Sequence, residues 1–185
     1  MKGNYFDIEL IKNGLGFLND DIDLSYAVTH YKHFWPLSKR FHAGAGLSAK
    51  YSFQAKMPYY FTKGLGYSRD FIRGYEYYVM DGEHFALMKT GIKFTLLPKK
   101  EVYASFIPLN KFATIPFAFY LNLFSDFGYV SDSQFKETNF LNNSWQYGYG
   151  AGIDFVTYYD MIFRLEFSRN KLGESGFFLH FTSPI

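Results

Sequence analysis

Apolar and polar residues alternate with a period of two along most of this chain, which is the pattern of β-strands that have one apolar face. Eight segments show it, and clusters of Gly, Asn, Asp and Pro separate them. The segments cover 6–10, 22–29, 41–53, 86–96, 117–129, 147–155, 163–168 and a last stretch that ends at 179–181. The connections between them are 13–21, a short link at Pro36, 54–83, 98–114, 130–144, 158–160 and 169–174. No segment has a helical period, so the sequence predicts an all-β, antiparallel fold.

An even number of strands, each with an apolar face, favours a closed up-and-down β-barrel. In the second segment, Leu24, Tyr26 and Val28 form the apolar face. The third segment shows the contrast most clearly, because Phe41, Leu47 and Phe53 alternate with His42 and Lys50. The polar faces mix acidic and basic residues that can pair across a narrow lumen, whereas the apolar faces are nearly free of charge. Lipid contact requires such outer faces, so we expect a transmembrane barrel. The alternative is a soluble, lipocalin-like carrier with the aromatic residues inside.

Composition narrows the class of protein. The 185 residues suffice for one domain, 1–185, and include 23 Phe and 17 Tyr but no Cys. A formal charge of +2 is too balanced for a nucleic-acid-binding surface, and no Cys means no disulfide or thiolate site. No run of about 18 apolar residues exists that could form a transmembrane helix. No signal peptide is visible, so we expect that it was removed or that the chain is a fragment.

The longest interval without strand alternation, 54–83, contains the motif Ile72-Arg73-Gly74-Tyr75, which we call the latch. A second motif, Phe124-Ser-Asp126-Phe-Gly128, places Asp126 on the polar face of the fifth segment. A charged Arg73 that folds into a lumen needs a carboxylate, so we predict an Arg73–Asp126 ion pair that fixes the loop inside the barrel. Gly74 would permit a sharp turn, and Gly128 a close backbone approach. The alternative is that 55–83 is an ordinary surface loop and that Asp126 balances Lys89 or Arg164.

The chain ends in a third motif, Glu174-Ser-Gly176-Phe-Phe-Leu179-His-Phe181. With the two inner motifs, it resembles the BamA and TamA superfamily of outer-membrane assembly and translocation barrels, also called the bacterial surface antigen family. The resemblance matches the latch to the family's Val-Arg-Gly-Phe/Tyr loop motif, with Ile for Val, and residues 124–128 to its Phe-x-Asp-x-Gly motif. It matches Gly176, Leu179 and Phe181 to the terminal β-signal. It covers this whole chain but only the C-terminal half of the family's barrel of about sixteen strands.

The resemblance implies a non-enzymatic protein of the bacterial outer membrane that takes part in protein assembly, insertion or translocation, without a cofactor. Its implied partners are outer-membrane lipids and either further copies of itself, as a dimer, or other outer-membrane proteins. We expect none of the family's periplasmic transport domains in this chain, and eight strands leave an interior that side chains can fill. A structural, lipid-contacting barrel without assembly activity is therefore the alternative.

A lipid-modifying enzyme is a further alternative, because His84, Asp81 and Ser68 lie in or beside the long loop and could converge at the outer rim of a barrel. No nucleophile motif accompanies them. The five His residues are scattered, so we predict no metal site.

Overall fold

The computed structural model describes residues 2–14, 23–54, 57–103, 114–134, 139–158 and 161–182. The predicted connections therefore lie partly outside the described residues, at 15–22, 55–56, 104–113, 135–138 and 159–160. Eight strands form one sheet in chain order, and every neighbouring pair is antiparallel. The strands are β1 (Gly3–Asn13), β2 (Leu24–Pro36), β3 (Phe41–Ser52), β4 (His84–Tyr103), β5 (Thr114–Ser131), β6 (Gln146–Val156), β7 (Ile162–Asn170) and β8 (Ser175–Thr182). The predicted all-β, up-and-down, eight-stranded architecture is confirmed.

The helical content of the described residues is one 3₁₀ turn, Tyr59–Phe61, in the loop between β3 and β4. None of these residues belongs to a helix that is long and apolar enough to cross a membrane.

The sheet has two chemically different faces. We call the face that carries Asp126 the inner face, because the loop between β3 and β4 packs against it, and we call the opposite face the outer face. The strand register places apolar side chains opposite one another on the outer face, as in the pairs Leu47–Met88, Met88–Phe127 and Leu165–Leu179. The inner face holds glycines and most of the paired charges.

The sheet curls around the loop. Asp70 lies 3.9 Å from His30 of β2, and the next residue, Phe71, has its ring 5.7 Å from the His180 ring of β8. In a flat sheet, six strand-to-strand steps of about 4.8 Å would separate β2 and β8 by about 29 Å. Two consecutive loop residues can contact both strands only because the sheet bends toward the loop.

Two expectations about the strands are wrong in detail. Leu24, Tyr26 and Val28 were expected on the apolar, lipid-directed face of the second strand, but the register puts them on the inner face. The reason is that Leu10 pairs with Ala27, so that Ala27, Thr29 and Tyr31 share the outer face with the apolar residues of β1. The predicted connection 98–114 also contains the end of β4 and the start of β5. Residues 98–103 are exposed on both faces, so they lack the alternation that reveals a strand.

Candidate functional site: a loop bound to the inner face

The loop between β3 and β4 has its own fold, which presents the latch to the sheet. Leu65 and Met80 exchange backbone hydrogen bonds of 2.9 and 2.8 Å, which close the segment between them into a compact unit. Both side chains are buried in an apolar cluster with Ile72, Tyr75 and inner-face residues of β4 and β5. The loop therefore supplies much of the hydrophobic core that the inner face of the sheet lacks by itself.

Arg73 and Asp126 form a bidentate ion pair. Nε and Nη2 of Arg73 donate to the two carboxylate oxygens of Asp126 at 2.8 and 2.6 Å, and the Arg73 backbone N–H donates to the same carboxylate at 3.2 Å. Nη2 also donates to the Thr90 carbonyl at 3.2 Å. The Asp126 side chain is fully buried, and bidentate pairing fixes both the position and the orientation of the guanidinium.

The other two residues of the Phe-x-Asp-x-Gly motif also contact the latch. The Phe124 ring lies under the Arg73 guanidinium, 3.8 Å from its central carbon, in cation–π geometry. Gly128 leaves room for the loop, because a Cβ there would lie 2.5 Å from Cδ1 of Ile72 and 2.8 Å from Cδ1 of Leu65. Phe124 and Asp126 thus contact the Arg73 guanidinium, and Gly128 leaves room for the side chains of Ile72 and Leu65.

Gly74 and Tyr75 complete the latch. Gly74 has a φ of +95°, which L side chains rarely adopt, and its carbonyl accepts a hydrogen bond of 3.0 Å from Asn170 of β7. Tyr75 is buried and donates its hydroxyl hydrogen to Gln146 of β6 at 2.8 Å. Four consecutive loop residues are therefore held by β4, β5, β6 and β7.

Gly148 of β6 belongs to the same site, although the sequence does not single it out. A Cβ at this position would overlap the carbonyl oxygen of Arg73. The three alternating glycines of β6, Gly148, Gly150 and Gly152, were visible in the sequence as an inner face without side chains. That signal could have identified β6 as the strand on which the loop lies.

A second charged cluster joins strands to one another. Arg164 of β7 donates from Nε and Nη2 to Asp154 of β6 at 2.7 and 2.9 Å. Lys93 and Asn122 donate to the same carboxylate at 2.6 Å each. Arg164 is thus committed to Asp154, and Lys89 lies 4.0 Å above the Phe71 ring, so neither is the main partner of Asp126 as the alternative interpretation proposed.

Glu166 of β7 connects the two clusters. Its carboxylate accepts a hydrogen bond of 3.4 Å from Nη1 of Arg73 and lies 3.7 Å from Nε of Arg164. Its second oxygen lies 3.5 Å from Nε2 of His180, which in turn lies 3.6 Å from Glu76 in the loop. The strand that ends the chain therefore also contacts the loop.

The residues of the terminal motif lie on β8. Leu179 and Phe181 point outward, opposite Leu165 and Phe163, and they are exposed. Gly176 lies on the other face of the strand, beside the Phe178 ring. None of these three residues contacts the latch, and the terminal motif meets the loop through His180 and Glu174 instead.

The base of the loop is fastened by Glu83, which accepts hydrogen bonds from the hydroxyl and the backbone N–H of Ser133 at 2.7 and 2.9 Å. Burial opposes ionisation of this carboxyl, but the hydrogen bonds outweigh it and hold the pKa of Glu83 below its usual value. Glu83 therefore binds as a carboxylate.

The three residues of the enzyme alternative each have a structural setting. Nδ1 of His84 accepts a hydrogen bond of 3.1 Å from the Ser52 backbone, and its ring stacks on Tyr51. Asp81 accepts hydrogen bonds from the hydroxyls of Tyr59 and Tyr67. Ser68 occupies a turn with a φ of +53°. Within the described ranges, no group of three or more His, Asp or Glu residues has the arrangement of a metal site.

Neither a protein-family model, a characterised protein nor a solved structure matches this chain. The geometry of the two faces and of the latch is therefore what indicates a function.

Proposed function

We propose that this chain is a transmembrane β-barrel of the bacterial outer membrane, with β8 closing against β1 and the loop folded into the lumen. The observation that carries this proposal is the outer face. From β3 to β8, the outer positions in the paired register carry two charges, Lys100 near the end of β4 and Arg169 at the end of β7. Many of these apolar side chains are exposed, and a hydrocarbon environment is the setting in which such a continuous band is stable.

Closure of the sheet follows from the same physical constraint. The paired strands leave one edge of β1 and one edge of β8 free among the described residues. Unpaired backbone groups cost several kcal/mol each in hydrocarbon, roughly, so spanning sheets close on themselves. The outer residues Phe6, Ile8 and Leu10 of β1 would then continue the apolar band of Phe177, Leu179 and Phe181.

The two tryptophans test the membrane proposal. Trp35 and Trp145 lie near opposite ends of the sheet, and both are exposed. A barrel places such residues at the two interfaces, about 25 Å apart. The protein is reconstituted into vesicles whose lipids are brominated at defined depths. We expect bromines near the headgroups to quench the fluorescence of both tryptophans most strongly. Fluorescence that no bromine position quenches would contradict membrane insertion.

We infer further that the protein belongs to the assembly-factor superfamily and acts without catalysis in outer-membrane protein assembly, insertion or translocation. The support is the latch, because all three residues of the Phe-x-Asp-x-Gly motif contact the loop motif with which the resemblance pairs them. Partners on this proposal are outer-membrane lipids and either a second copy or other outer-membrane proteins. The native mass of the protein extracted from membranes would identify a dimer or a larger complex.

A structural barrel without assembly activity is the second candidate. The filled inner face of β4 to β7 favours it, because the buried loop occupies the space that a conducting pore would need. Depletion of the protein discriminates the two. Loss of other outer-membrane proteins from the membrane fraction supports assembly, whereas unchanged abundance of these proteins supports the structural candidate.

A further inference from the structure

An apolar groove interrupts the outer face where β3, β4 and β5 lie side by side. Its volume is about 250 Å³. The groove is lined by Phe41, Ile92, Phe94, Leu121 and Leu123. No charged or hydrogen-bonding side chain is among these residues, so a ligand would be held there by hydrocarbon contact alone.

Basic residues lie at one end of this groove. The Phe41 and Phe94 rings are 4.8 Å apart, and the residue before Phe41 is Arg40, whose carbonyl accepts a hydrogen bond of 2.8 Å from Thr95. The turn that contains Lys39 and Arg40 is thus joined directly to the rim. Farther along β4, Lys99 and Lys100 are exposed, with one acidic neighbour, Glu101.

The opposite end of the sheet, where the loop lies, carries charges of both signs. The acidic side chains Asp70, Glu76, Asp81, Glu83, Asp132 and Glu174 lie there together with the basic side chains Lys63, Arg69, Arg169 and Lys171, whereas the end beside the groove is mainly basic. An anionic headgroup would therefore be attracted to the end at which Lys39, Arg40, Lys99 and Lys100 lie.

We propose that this groove and its basic rim bind one anionic phospholipid, with an acyl chain along the groove and the phosphate at Lys39, Arg40, Lys99 and Lys100. Each basic residue near an anionic lipid surface contributes a factor of about five in affinity. The four basic residues would contact the headgroup only in part, and the negative charge of Glu101 opposes them. We therefore expect the anionic lipid to bind about tenfold more tightly than a zwitterionic lipid with the same acyl chains. The inference rests on the proposed membrane location, and it specifies in addition which class of lipid binds and where on the sheet it binds.

The test uses the full chain reconstituted with equal amounts of phosphatidylglycerol and phosphatidylcholine whose chains differ in mass. Native mass spectrometry after detergent release then counts the lipids that remain bound. We expect one lipid to be retained per chain, and we expect it to be phosphatidylglycerol about ten times as often as phosphatidylcholine. Replacing Lys39, Arg40, Lys99 and Lys100 by Gln should abolish the preference, and Leu121→Trp, which fills the groove, should abolish retention. Leu165→Trp on the outer face of β7 is the matched control and should retain the lipid.

Equal retention of both lipids by the unmodified chain would overturn the proposal, as would retention that Leu121→Trp leaves unchanged. Excess inorganic phosphate distinguishes a headgroup site from a simple anion site, because phosphate alone should not displace a lipid held by its chain; displacement would overturn the proposal. Flotation with vesicles keeps this result separate from the membrane proposal. If the chain floats with vesicles of either lipid but retains neither lipid preferentially, the lipid site is absent. If the chain does not float with vesicles at all, the membrane proposal itself is wrong.

Discussion

Two buried arginine–aspartate pairs lie on the inner face of this sheet, and they differ in what they join. Arg164 and Asp154 come from neighbouring strands that backbone hydrogen bonds already hold together. Arg73 and Asp126 come from a loop and a strand 53 residues apart, and side-chain contacts hold much of that interface. The Arg164–Asp154 pair therefore adds to a connection between two strands that exists without it. The Arg73–Asp126 pair is a main connection between the loop and the sheet.

The difference also lies in how many partners each carboxylate keeps if its arginine is removed. Asp154 would retain Lys93 and Asn122, both at 2.6 Å. Asp126 would retain the Arg73 backbone N–H at 3.2 Å, in a fully buried position. A buried charge that loses its counter-ion is strongly destabilising, so loss of Arg73 is expected to be the more severe change.

Arg73→Ala should have the largest effect. We expect a loss of about 3–5 kcal/mol in the free energy of unfolding, because Asp126 stays buried without its counter-ion. The loop should also become sensitive to added protease. Urea unfolding in detergent and limited proteolysis measure the two effects. Arg69→Lys, which keeps the charge of an exposed arginine in the same loop, is the control and should change neither.

Arg164→Ala should cost less, about 1.5–3 kcal/mol, which is the range for hydrogen bonds to charged groups. Protease sensitivity of the loop should stay at the level of the unmodified chain, because this pair joins strand to strand. If Arg164→Ala exposed the loop as much as Arg73→Ala does, the distinction between the two pairs would be wrong.

Gly148→Ala tests the loop interface without changing a charge. The added methyl group overlaps the Arg73 carbonyl oxygen, so we expect a cost of about 1–3 kcal/mol, typical of overpacking, together with faster loop cleavage. Gly46→Ala on the inner face of β3 is the matched control, because its nearest neighbours would be 3.6 Å away. Equal behaviour of the two variants would mean that the loop does not lie on β6.

Acidification should give the smallest effect, at the base of the loop. The pKa of Glu83 is lowered in the folded chain, so its contribution is complete above the ordinary glutamate pKa of about 4.3 and is lost as pH falls through the lowered value. Loop cleavage by an acid-stable protease should therefore increase below about pH 4. Glu83→Gln should be cleaved faster at neutral pH and should lose most of this pH dependence; an unchanged profile would contradict the role of Glu83.

The sequence predicts the strands well where one face is apolar and the other polar, as in β3 and β6. It fails where both faces have the same environment, as in residues 98–103, which are exposed on both sides. It also misassigns the faces of β2, because Leu24, Tyr26 and Val28 look like an outer face until the register with β1 is known.

The same distinction applies to the latch site. Arg73 and Asp126 can be predicted from the sequence, because an arginine that enters a lumen needs a carboxylate partner and because the two motifs occur in a recognisable order. Glu166, Asn170 and Gln146 are missed, because their roles depend on which strands the loop crosses, and that follows from the curvature of the sheet.

Cysteine labelling in intact membranes tests whether the loop is bound to the inner face through Arg73. The chain contains no Cys, so single substitutions report without background. Tyr77 is 87% exposed, whereas Met80, three residues later in the same loop, is 1% exposed. We predict that a membrane-impermeant maleimide labels Tyr77→Cys quickly and Met80→Cys slowly, and that adding Arg73→Ala makes the second rate approach the first. Equal labelling of both positions in the chain that retains Arg73 would mean that the loop is not bound to the inner face.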